Sequence, residues 1–125
     1  MPDPRNKASF DLANQYKDRI EFYLKMNSSV ARAFTSTRLA EIFRIKEAVV
    51  IRQAIGKARD DGAPIASGST GYFYAKTPEE LTKTIADLNS RIAAIGRRRD
   101  ALIDTRIRMN GRPKQESMFN DKFTN

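Results

Sequence analysis

Residues 36–75, STRLAEIFRIKEAVVIRQAIGKARDDGAPIASGSTGYFYA, decide the fold, because the apolar period changes inside this stretch. Leu39, Ala40, Ile42 and Phe43 fit a short helix of about two turns. Thr35-Ser36-Thr37 supplies its N-cap candidates, hydroxyl side chains that accept from first-turn N–H groups. Arg44-Ile45-Lys46 reads as a turn. A second helix follows from Glu47 to Asp60, with Ala48, Ile51, Ile55 and Ala58 on its apolar face. Asp61-Gly62 stops it, since glycine suits the left-handed position after a helix. Pro64–Ser67, then Gly68-Ser69-Thr70-Gly71, then Tyr72–Ala75 read as strand, tight turn and strand.

Upstream, Phe10, Ala13, Tyr16, Ile20, Tyr23 and Leu24 recur at helical spacing, with Ser9 as N-cap and an end near Asn27. Residues 1–8 read as a disordered end. Val30–Phe34 is a short apolar connection. Downstream, Thr77-Pro78-Glu79-Glu80 opens the longest helix, expected over 78–109. Thr77 is the N-cap, Pro78 the first helical residue, and Glu80 closes a capping box. Asn110-Gly111-Arg112-Pro113 ends that helix, and residues 110–125 read as a disordered tail. The expected class is mainly α with a small β-hairpin, divided into residues 9–77, the helix 78–109 and the tail.

Composition narrows the chemistry. The chain has 125 residues and no Cys, His or Trp. That excludes disulfide scaffolds, zinc fingers, iron–sulfur clusters and thiol nucleophiles, and removes the commonest general base. No spaced Asp/Glu cluster offers a carboxylate metal site, so no enzyme activity, metal or cofactor is expected. No apolar run approaches the ~20 residues of a membrane span, and Met1–Lys7 has no apolar signal core. The expected compartment is the cytoplasm, with no membrane partner. The formal net charge is +8, which points to a polyanion or an acidic surface. Residues 1–77 and 97–114 each carry net +5, whereas 78–96 and 115–125 each carry net −1.

Helix, short helix, turn, helix, hairpin, helix is the element order of a winged helix-turn-helix domain. Ser36 to Ala75 resembles winged helix domains of the biotin-operon-repressor type, found in phage and bacterial regulators. The residues carrying the resemblance are Leu39-Ala40-x-x-Phe43, Ile51-Arg52-x-x-Ile55, Ala58-Arg59-x-Asp61-Gly62, Pro64-Ile65-x-Ser67 and Gly71-Tyr72. One departure stands out. The usual Gly-apolar-Ser turn is here Arg44-Ile45-Lys46, and the spacing to Ile51 is one residue longer.

The resemblance implies a sequence-specific binder of double-stranded DNA, with the second helix of the motif in the major groove. Val49, Val50, Arg52, Gln53 and Lys57 lie outside the expected apolar face. Arg and Gln read base edges, and Val meets a thymine methyl. Arg38, Arg44, Lys46, Lys57 and Lys76 are phosphate candidates. Ser69 and Thr70, at the uncharged hairpin tip, offer hydroxyls and amides. Phe73 reads as core. The Gly-flanked turn lacks the Gly-Lys-Ser/Thr of a nucleotide-binding loop.

In the long helix, Leu81, Leu88, Ile95 and Leu102 are seven apart, and Ile85 and Ile92 fill the complementary positions. This is a coiled-coil seam for a homodimer. Packing on the chain's own first helix is the alternative. Arg99 and Arg106 occupy the next two complementary positions. In the tail, Gln115-Glu116-Ser117-Met118-Phe119 resembles the peptide by which bacterial replication and repair proteins dock on the sliding clamp, through Gln115, Ser117, Met118 and Phe119. The expected function is a transcriptional regulator of phage or mobile-element type, acting as a dimer. The alternatives are a replication adaptor that recruits the clamp, and an inhibitor that binds a host protein.

Overall fold

The computed structural model describes residues 4–111, with side chains from residue 8 onward. Its elements are α1 (Pro4–Asn27), α2 (Ser36–Phe43), α3 (Ala48–Asp60), β1 (Ile65–Gly68), β2 (Gly71–Tyr74) and α4 (Glu79–Asn110). The architecture is mainly helical, with one two-stranded antiparallel hairpin and a long C-terminal helix. The described residues contain no helix long and apolar enough to cross a membrane. The chain divides into two units, residues 1–86 and 87–125.

The first unit is built around α3. Val50, Ile51, Ala54, Ile55 and Ala58 are all buried, and they pack with Ala13, Ile20 and Leu24 of α1 and Leu39 and Ala40 of α2. Full burial of one such Ile or Leu contributes about 1.5–3 kcal/mol. Tyr23 sets its ring edge against Phe34 (5.4 Å) and Phe43 (5.7 Å), which closes the corner between α1 and α2. Three expectations for α1 are corrected. The helix begins at Pro4, inside the segment expected to be disordered, so Ser9 lies within it and is not its N-cap. Phe10 is exposed rather than core: its ring lies under the Lys57 ammonium, 4.0 Å from the centroid.

Thr35 caps α2 as expected, its Oγ1 accepting from Arg38 N–H at 3.0 Å. The turn after α2 is made by Arg44, which adopts φ 54, the left-handed region. Gly62 takes φ 101 after α3, as its position suggests.

The hairpin pairs Ile65 with Tyr74 and Ser67 with Tyr72 across a two-residue turn, Ser69-Thr70. In an antiparallel ladder alternate pairs turn their N–H and C=O outward. Here those outward groups find partners. Tyr72 exchanges two hydrogen bonds with Phe34 (2.9 and 2.8 Å), so the connection before α2 contributes one residue of a third strand. Ser67 N–H donates to Thr84 Oγ1 at 3.0 Å, and that hydroxyl donates back to the Ser67 carbonyl at 3.2 Å. Arg59 Nε donates to the Ile65 carbonyl (2.8 Å), and Tyr74 N–H donates to the buried Ser28 hydroxyl (2.8 Å). Gly71 has φ 128, and a Cβ there would lie 2.5 Å from the Phe34 carbonyl carbon and oxygen. Only glycine permits this approach.

At the start of α4, Glu80 reaches back to accept from Lys76 N–H at 2.8 Å. The reciprocal partner is thus one residue upstream of the expected Thr77. Leu81 is half-buried against Ala66, Phe73 and Ala75. It serves the core of the first unit, which corrects its assignment to the pairing seam. Phe73 is buried, in accord with its reading as core.

Candidate nucleic-acid interface

The sequence candidates fall on three places in the first unit. The first is the turn between α2 and α3. Arg44 and Lys46 are exposed and line an open cavity of about 450 Å³ together with Thr37, Glu41 and Ala48. Glu47 precedes α3 in an extended conformation and makes no side-chain cap. The Glu47 carbonyl accepts from Val50 N–H at 3.1 Å, but its side chain caps none of the first-turn N–H groups, which leaves a positive helix end beside two cations. Arg38 is exposed on α2 and pairs with Glu41 at 3.6 Å. At such exposure this pair holds Arg38 only weakly.

The second place is the outer face of α3. Val49, Arg52 and Gly56 follow one another at helical spacing on it. Arg52 is exposed and donates a long hydrogen bond, 3.4 Å, to Ser36 Oγ. Gln53 is half-buried, and its Oε1 is enclosed with no hydrogen-bond partner among the described residues. Lys57 is half-buried, with its ammonium over Phe10. Val50 is a correction: it is 2% exposed and belongs to the core. Val50 and Ile51 both face inward, in line with Ala54, Ile55 and Ala58, and Val49 takes the outer position. Gly56 escaped the sequence reading. A Cβ there would meet nothing within 4 Å, so the middle of this face is an open backbone surface. The available signal was its cost: glycine within a helix is about 1 kcal/mol worse than alanine.

The third place is the hairpin. Ser69 and Thr70 are exposed at its tip, and Lys76 is exposed just after β2. Neighbouring ionic groups elsewhere serve the fold. Lys17 donates to Asp61, which holds the Asp61 carboxyl below its usual range and the Lys17 ammonium above its own. Burial raises the Tyr74 phenol, and Glu21, by its charge and by its hydrogen bond to the phenol, raises it further. No group of three or more metal-ligating side chains exists among the described residues.

In α4, Ile85 is exposed, as are Leu88, Ile92, Ile95 and Leu102 of the second unit. The clamp-peptide residues Gln115, Ser117, Met118 and Phe119 lie outside the described residues. Comparison of the chain with protein-family models, with curated proteins and with solved structures finds no match.

Proposed function

We propose that residues 4–77 form a winged helix-turn-helix domain that binds double-stranded DNA, with α3 as the recognition helix and the hairpin as the wing. The protein would act as a dimeric transcriptional regulator. The observation that carries this reading is the outer face of α3 and its leading turn. Arg44 and Lys46 flank the helix start, and Arg52 stands one turn along beside Val49 and the bare Gly56. Cations around a helix N-terminus suit phosphate. An arginine with a neighbouring valine on the outward face suits guanine edges and thymine methyls. The element order supports the same reading, including the single strand residue Phe34 that joins the hairpin.

The test is a titration of labelled duplexes at several salt concentrations, followed by selection from a random duplex library. The expected result is binding that weakens steeply with salt as Lys and Arg release counterions. Lys46→Ala should lower the salt slope by about one across all sequences, whereas Arg52→Ala should relax preference at one base position. Absence of retardation for every duplex at low salt overturns the reading. The dimer is proposed to form through α4.

A further inference from the structure

The second unit carries an apolar stripe that its own residues leave open. Leu88, Ile92, Ile95 and Leu102 are 39%, 67%, 61% and 70% exposed. In heptad terms Leu88, Ile95 and Leu102 occupy position d, and Ile92, Arg99 and Arg106 occupy position a, continuing Ile85 at a in the preceding heptad. Isoleucine at a, in Ile85 and Ile92, with leucine at two of the three d positions, Leu88 and Leu102, leans toward two parallel strands, Ile95 being the exception. We propose that this face docks a second copy of the chain, parallel and in register, with Arg99 facing Arg99 of the other copy as a charged layer that limits the pairing. The proposal deepens the dimer reading and needs none of its DNA-binding half.

Area and charge argue for this occupant. The four apolar side chains present roughly 400 Å² on each copy, about 800 Å² in a pair, just under the ~1,000 Å² floor of a stable interface and within the range of a weak, transient one. The flanks carry Arg91 and Arg98 at g with Asn89 and Gly96 at e, so a parallel pair sets no like charges across its g–e′ contacts. The like charges are confined to the a layers at Arg99 and Arg106. Asp100 offsets part of this within each chain, its carboxylate accepting from Arg99 at 2.9 and 3.0 Å. The resulting pair is weak at low salt, and it tightens as salt screens the arginine layers. That is opposite in sign to the salt dependence of nucleic-acid binding.

The full chain has no cysteine, so single cysteines report orientation directly. In a parallel pair Ile92→Cys meets its own copy and cross-links on oxidation. An antiparallel pair over 85–109 brings Gly96→Cys to the two-fold axis instead. Ala101→Cys, on the opposite exposed face, sets the background. The expected result is Ile92→Cys dimers well above those of Gly96→Cys and Ala101→Cys. Preferential cross-linking through Gly96→Cys overturns the parallel orientation while leaving the dimer itself standing. Sedimentation of the cysteine-free protein reads association separately, and a monomer at all concentrations and salts removes both. Replacing the charged layer, Arg99→Leu, should tighten self-association about tenfold or more. Unchanged or weaker association overturns the assignment of Arg99 to the seam.

Discussion

The N–H of Ile45 donates to the carbonyl of Ala40 at 2.8 Å, and the closure depends on Arg44 between them standing at φ 54. This places a long cationic side chain where glycine costs least. A non-glycine residue in the left-handed region loses roughly 1–2 kcal/mol. Arg44→Gly should therefore raise stability by about 1 kcal/mol in urea denaturation, while lowering affinity for duplex DNA. A variant that is less stable than the parent would contradict the strain assigned to Arg44.

Thr84 holds β1 to the start of α4 by two hydrogen bonds to one residue. Thr84→Val keeps the shape and removes the hydroxyl, leaving Ser67 N–H and C=O without that partner. The expected cost is about 1–3 kcal/mol, with faster hydrogen exchange at the Ser67 amide. Thr84→Ser should recover most of the loss. If valine is tolerated without change, the latch contributes nothing.

Gly62 and Gly71 both have positive φ, yet their surroundings differ. A Cβ at Gly62 meets nothing within 4 Å, whereas one at Gly71 runs into the Phe34 backbone. Gly62→Ala should cost about 1 kcal/mol. Gly71→Ala should cost more than about 2 kcal/mol, because strain and collision add. Equal losses at the two positions would show that the hairpin moves freely away from Phe34.

The Lys17–Asp61 pair predicts an acid limb. Asp61 has its pKa lowered in the folded state, chiefly by the hydrogen bond from Lys17. Its contribution is present above the unfolded value, near pH 4, and is lost as pH falls through the folded value. The stability difference between the parent and Asp61→Asn should therefore narrow as pH drops below about 4. Denaturation at a series of pH values measures this, and a gap that widens on acidification would be incompatible with the pair.

Much of this arrangement is legible in the residues, and the exceptions have physical causes. The hairpin and α4 follow from period-two and heptad spacing bounded by glycine and proline. The phase of α3 is harder to read, because Val49, Val50 and Ile51 are three consecutive aliphatic residues. Val50 is marked as inward only by Ala54 and Ala58, four and eight residues on, and alanine is small enough to sit on either face. The Phe34 bridge is a single residue inside an apolar connection and leaves no alternation to detect. Arg44 occupies a left-handed position without the glycine that normally announces one. Leu81 fits the heptad as well as Leu88 does, and only the approach of the hairpin diverts it into the first unit.

The hydrogen bonds at Ser67 and Tyr72 have a wider consequence. An unpaired strand edge is a template for extended peptides and for aggregation. Here β2 spends its outer Tyr72 groups on Phe34, and β1 spends its outer Ser67 groups on Thr84. Strand addition at these positions would first have to break native bonds. At these positions the small sheet is thus shielded from joining another chain.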